Sequence, residues 1–182
     1  MSNIVNIKSY TPRSDENYFF DCNIWLFNFC PIGNYSKKQQ EAYSYFLGSI
    51  KTNRANIFIN SLVLSEFVNR YLRLDFDRWK KSPECTEISP DFKKNYIPSE
   101  RYKLIVTSVE KAIRDILKLT EKISDDFHRI SESLDGVYSH FQHIDFNDSY
   151  YYEFCKKNNF ILVSDDQDFA KIKDNTVKIL TL

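Results

Sequence analysis

Net charge, long apolar runs, histidine and paired cysteines are missing or scarce in this sequence, and each lack removes a class of function. Lys+Arg and Asp+Glu both number 25, so the formal charge is zero at pH 7. No global field draws such a chain onto nucleic acid, and any binding of that kind must come from a local patch. No purely apolar run exceeds four residues, as in Phe160-Ile161-Leu162-Val163. A membrane-spanning helix needs roughly 20, so no span is expected. The first stretch carries Lys8, Arg13, Asp15 and Glu16 with no apolar core, so no secretory leader is expected either. The four cysteines, Cys22, Cys30, Cys85 and Cys155, show no C-x-x-C spacing. That argues against a zinc knuckle or a redox pair and suits a reducing cytoplasm. Of the three histidines, His140 and His143 have a helical metal-pair spacing but no third ligand of clear merit.

What is present is a chain of 182 residues with 15 Phe and 12 Tyr, enough apolar surface for one core and hence one domain, 1–182. Tyr18-Phe19-Phe20 reads as a buried strand stopped by Asp21, and helical spacing follows from Asn23 to Phe29. Pro31-Ile32-Gly33-Asn34 breaks that helix, and Ser36 caps a second one running to Lys51. Asn56 to Asn60 is a second strand, and Ser61 caps a helix whose stripe is Leu64, Phe67, Val68, Tyr71 and Leu72. Glu66, Asn69, Arg70 and Arg73 fall on its other side. Prolines 83, 90 and 98 mark a loop from Ser82 to Pro98, after which Ser99-Glu100 opens a long amphipathic helix expected to pair with the preceding one. Helical character recurs from Ile130 to Phe141, and Asp148 begins a helix that stops at Asn158-Asn159. Phe160 to Val163 and Val177 to Leu180 are the last strands. Alternating strands and helices predict a three-layer α/β/α fold on a mainly parallel sheet, with a helical excursion at about 74–145.

In open parallel sheets the chemistry collects outside the carboxyl ends of the strands. Asp21 follows the first strand and Asp165, Asp166 and Asp168 follow the third, while Glu66 lies in the first turns after the second and Asp148 starts the helix leading into the third. Each acid has a plainer account as a helix cap, a dipole partner or a turn residue. Their joint placement at one edge is what points further. At an effective dielectric of about 20, two carboxylates about 5 Å apart repel by roughly 3 kcal/mol, a cost that a cation in the gap removes. All-oxygen ligation selects Mg²⁺ or Mn²⁺ over zinc, and such an ion activates water and polarises a phosphoryl oxygen.

Phe20-Asp21-Cys22-Asn23, Ser65-Glu66, Phe146-Asn147-Asp148 and Leu162-Val163-Ser164-Asp165-Asp166-Gln167-Asp168-Phe169 together resemble the acidic signature of PIN-domain nucleases, in the right order over most of the chain. The resemblance implies a Mg²⁺- or Mn²⁺-dependent ribonuclease specific for single strands, often the toxin of a toxin–antitoxin pair. It implies Asp21, Glu66 and Asp148 as core acids, Asp166 or Asp168 as the more variable fourth, and Asn23, with Ser164 and Asp165, as support. The length between Arg73 and Asp145 departs from the small toxins of that family and leaves RNA target, antitoxin and dimerisation open.

For RNA contact the candidate patch is Arg70, Arg73, Trp79, Lys80 and Lys81, cations interleaved with aromatic rings that bases stack on. A solvated helix face over core aromatics explains the same pattern. Competing functions are a catalytically inactive PIN-like interaction module and phosphotransfer through an aspartyl intermediate. Against the latter, Asn23 stands where the usual second acid would be.

Overall fold

The computed structural model describes residues 3–125, 127–130 and 134–182. Its elements in chain order are β1 (Ile4–Asn6), β2 (Asn17–Phe20), α1 (Cys22–Phe29), α2 (Lys37–Thr52), β3 (Asn56–Ile59), α3 (Ser61–Trp79), α4 (Glu100–Leu119), β4 (Glu121–Lys122), α5 (Phe127–Ile130), α6 (Asp135–Phe141), α7 (Phe146–Asn158), β5 (Ile161–Val163) and β6 (Ile179–Thr181). Among the described residues these strands form one sheet in the order β1-β6-β5-β2-β3-β4, and every pairing is parallel.

Strand order fixes the layers. The chain steps from β2 to β3 to β4 in one direction and returns from β4 to β5, so right-handed crossovers put the intervening helices on opposite faces. Consistent with this, α1, α2, α3 and α4 pack on one another, while α5 and α6 pack on α7. Between β2 and β5 the direction of winding reverses, which is where a parallel sheet opens a crevice at its carboxyl edge.

The central strand β2 is apolar on both sides because both faces are covered. Successive side chains alternate faces: Tyr18 meets Phe46 of α2 and Phe20 meets Trp25 of α1, whereas Phe19 meets Tyr151 and Phe154 of α7. All three of these β2 aromatics are fully buried. This is how a chain of ordinary apolar content makes a dry core: each ring buries a large area on one rigid side chain.

Helix starts follow local chemistry. Ser36 and Gln39 form a reciprocal capping box on α2. Asn60, one residue before the expected Ser61, caps α3 by accepting from the Val63 N–H. Asp145 caps α7, so Asp148 lies one turn inside that helix and is not its first residue. The helix ends at Asn159 in the left-handed region at φ 54°, which asparagine tolerates.

Two edge strands, β1 and β4, escaped the sequence reading. The stretch read as a helical excursion is in part integral to the layers: α4 packs on α1 and α3, and β4 pairs with β3. Its anchor is Asp75 of α3, fully buried, which accepts from Tyr96 Oη at 2.6 Å and from Arg101 Nε and Nη2. Tyr96 ends a short π-helical turn, Phe92–Tyr96, inside the span expected to be loop. The helical character foreseen from Ile130 to Phe141 appears in α5 and α6, with residues 131–133 outside those described.

Candidate active site

Parallel register places the first pair of polar residues. Phe20 pairs with Val163, so the next residue on each strand, Asp21 and Ser164, meet across the crevice between β2 and β5. Ser164 Oγ donates to Asp21 Oδ2 at 2.7 Å and accepts from Asn23 Nδ2 at 3.2 Å and from the Asp166 N–H at 3.0 Å. Asn23 Oδ1 accepts from the Asp165 N–H at 3.4 Å, closing a small network. Asp21 occupies the N-cap position of α1, yet its carboxylate makes no capping hydrogen bond. Its side chain serves the crevice, not the helix.

Glu66 enters from α3 on the opposite layer from α7. Its Oε2 accepts from Tyr151 Oη at 2.8 Å and Asn147 Nδ2 at 3.3 Å, and its Oε1 lies 3.4 Å from Arg70 Nη1. Asn147 and Tyr151 are one turn apart on α7, so one helix face holds the Glu66 carboxylate. Asp148, on the same first turns of α7, is buried, and among the described residues its carboxylate accepts no hydrogen bond.

Electrostatics put these acids within reach of one another's charge. Burial pushes the Asp148 carboxyl up to about 8, and the charges of Asp21, Asp145, Asp166 and Glu66 raise it further. Burial likewise raises Asp21 to about 7; the Ser164 hydrogen bond opposes this, Glu66 adds to it and Arg70 again opposes it. Two buried carboxylates are thus held short of donors, with a third beside them and a fourth, on exposed Asp166, within electrostatic reach. Buried carboxylates with few donors fit a divalent cation, and the all-oxygen set fits Mg²⁺ or Mn²⁺. Asp21, Asp148 and Glu66 would hold it, with Asp166 at the rim. Among the described residues their ligand atoms do not close to the mutual 4.8 Å reached by His140, Glu153 and Asp174, and Glu66 is engaged by Tyr151, Asn147 and Arg70.

The remaining expected site residues have other work. Asp165 accepts from Gln39 Nε2 and Tyr43 Oη, both at 2.6 Å, and ties α2 to the end of β5. Asp168 pairs with Lys171 at 2.7 Å, and its N–H donates to Asp166 Oδ1 at 2.8 Å. Trp79, expected to stack on bases, is only 6% exposed and packs against Phe76 and Tyr96, so no ring face is left for a base. Arg73 lies over the Phe92 ring and Lys80 over Phe76, where Lys80 also pairs with Asp77. These two cations brace the aromatic cluster of the insertion. Lys81 remains exposed.

His140 does meet carboxylates, but as a structural node. Its Nε2 is 3.1 Å from Glu153 Oε1, and Lys156 Nζ already sits 2.7 Å from Asp174 and 3.6 Å from Glu153. That ammonium offsets one of the two carboxylate charges.

Tyr151, Asn147 and Asp145 were missed as contributors to the site. Tyr151 looks like one more core aromatic in sequence, and its ring does pack on Phe19 while its hydroxyl reaches Glu66. Asn60 was missed as well. Continuing the β2–β3 register sets it opposite Asp21, and its buried Nδ2 has no partner among the described residues.

Comparison with known proteins agrees with this arrangement. No curated protein matches the sequence. Among solved structures, a chain of VapBC2 from Rickettsia felis, bound to a DNA fragment from their promoter, superimposes with a TM-score of 0.56 and 16% identity, over 91% of this chain and 98% of that one. At that identity the likeness concerns the fold. A model of the PIN domain matches residues 18–175, a span that runs from β2 through Asp21, Glu66, Asp148 and Asp166 to the turn before β6. The all-parallel three-layer sheet and this match over most of its length establish that the chain belongs to the PIN domain family.

Proposed function

We propose that this PIN-domain protein is a Mg²⁺- or Mn²⁺-dependent endoribonuclease that hydrolyses phosphodiester bonds of single-stranded RNA in the cytoplasm, as the toxin of a toxin–antitoxin pair. The observation that carries the reading is the carboxylate cluster: Asp21 and Asp148, buried and raised to about 7 and about 8, with Glu66 within reach of both charges at the crevice of a parallel sheet. Nothing in a purely structural role requires like charges to be collected there. The bound cation supplies Lewis-acid polarisation of the phosphate and activation of water. Asp21 is oriented for it by Ser164, and Glu66 by Tyr151 and Asn147. Asp148, whose carboxyl is raised by burial and by its acidic neighbours, would hold the cation in its ionised form, so that proton and cation compete for it. The likeness in fold to a chain of the VapBC2 complex supports an antitoxin partner as part of the same reading, to which a homodimer belongs as a further proposal.

The test is cleavage of labelled single-stranded RNA, with single-stranded DNA in parallel, by the wild-type, Asp21→Asn and Asp148→Asn proteins with added Mn²⁺ or Mg²⁺. RNA cleavage by the wild type alone, abolished by chelation, is expected. Undiminished cleavage by both variants removes the mechanism. A wild type that binds no Mn²⁺ and cuts nothing leaves the inactive PIN-like interaction module, a reading that the well-satisfied Glu66 carboxylate favours.

A further inference from the structure

We propose that Arg70 is the phosphate clamp of this site, parked on Glu66 when no substrate is bound and transferred to a phosphodiester oxygen of the nucleic acid when it arrives. The inference rests on the nuclease reading and assigns substrate binding to one side chain of the candidate cationic patch.

Arg70 is one turn along α3 from Glu66, so helix geometry alone brings the two side chains together. The contact is a single one, Nη1 to Oε1 at 3.4 Å, with the Arg70 side chain 55% exposed. Such a pair contributes at most about 0.5 kcal/mol and separates easily. Its guanidinium nevertheless acts on Asp21, Cys22 and Glu66 at once, so it lies within electrostatic reach of the acid cluster. Of the other cations of the patch, Arg73 lies on Phe92 and Lys80 on Asp77 and Phe76, while Lys81 stands exposed past the end of α3, about three turns from Arg70. Arg70 is therefore the patch cation within reach of the chemistry.

A phosphodiester approaching Asp21, Glu66, Asp148 and Asp166 meets repulsion that a single dication offsets only in part. A guanidinium is suited to supply the remainder, because its planar fork matches two phosphate oxygens, whereas it meets Glu66 here with one nitrogen. Exchange of a weak carboxylate contact for a two-pronged phosphate contact favours the bound state.

The experiment uses Arg70→Met, which keeps the stem, and Arg70→Lys, which keeps the charge but loses the fork. Three quantities are measured: Mn²⁺ affinity by calorimetry without nucleic acid, steady-state cleavage of an RNA oligonucleotide, and binding of a non-cleavable 2′-O-methyl oligonucleotide by fluorescence anisotropy. For Arg70→Met, Mn²⁺ binding is retained or tightened, since a competing cation is gone. KM and the oligonucleotide Kd rise about 10-fold to 100-fold, the worth of a charge-assisted hydrogen bond or two, while kcat changes far less. Arg70→Lys falls between. Unchanged KM and Kd in Arg70→Met overturn the proposal, as does a loss of Mn²⁺ affinity that accounts for the whole defect, since Arg70 would then only be positioning Glu66. If the wild type cuts no RNA but binds the oligonucleotide in an Arg70-dependent way, the clamp stands and the nuclease reading falls.

Discussion

Replacing Asp148 by asparagine, at high pH and without divalent cations, is expected to make the protein more stable. The carboxyl titrates at about 8 in the folded protein, against about 4 in an unfolded chain. Between those values the folded state keeps a proton that the unfolded state has released, so stability declines as pH rises through the window. Above it, four units correspond to roughly 5 kcal/mol at most, and local relaxation and water entry reduce this to about 2 kcal/mol. Asparagine is neutral throughout and has no donor to lose, since among the described residues the carboxylate accepts no hydrogen bond. For a domain of this size about 2 kcal/mol is a rise in Tm of about 4–8 °C. The assay is thermal unfolding of both proteins in EDTA at about pH 9 and about pH 5. The gap is expected in full at the higher pH and should narrow at the lower, which lies only about one unit above the unfolded value. Saturating Mn²⁺ should then favour the wild type, because a ligand that binds only the folded state stabilises it. An Asp148→Asn protein no more stable than wild type at high pH, or equally more stable at both, refutes the idea of a repelled, buried carboxylate awaiting a cation.

Removal of the Ser164 hydroxyl by Ser164→Ala takes away the hydrogen bond that holds Asp21 down, so the Asp21 pKa climbs and the midpoint of Mn²⁺ binding against pH moves upward; calorimetry over pH 6–9, in steps of about one unit, reads it, and an unmoved midpoint counts against the Asp21–Ser164 pairing. Tyr96→Phe removes one buried donor to Asp75 and should cost about 1–3 kcal/mol in urea unfolding, while Asp75→Ala, which strands both Tyr96 and Arg101, should cost more. Trp79→Ala should destabilise by about 3–5 kcal/mol without a selective loss of oligonucleotide affinity. Weaker oligonucleotide binding at unchanged stability would restore Trp79 as a stacking platform.

Periodicity and short-range chemistry settled much of this protein in advance. The apolar run Tyr18–Phe20 stopped by Asp21, the Ser36 cap, the stripe of α3 and the stop at Asn159 follow from nearest neighbours, and the alternation of strands and helices gave the layered parallel fold. The acids were legible as well, because a carboxylate directly after a buried strand stands out against its apolar neighbours. Strands β1 and β4 were not, since two or three residues of an edge strand carry no pattern until another strand offers its backbone. Trp79 beside Lys80-Lys81 is identical in sequence whether its ring stacks on bases or on Tyr96; the insertion folding back decided it.

What sequence alone determined is which residues carry charge and which strand or helix bears them. Tertiary structure decided which of those charges share a pocket. The register between β2 and β5 joined Asp21 to Ser164, and the return of α7 across the sheet laid Tyr151 on Glu66 and brought Asp148 within reach of Asp21. The same folding sent Asp165 to Tyr43 and Asp168 to Lys171. A side chain's chemical type is local, but its desolvation and its neighbours' charges depend on segments far away in the chain, and those set what a carboxylate does.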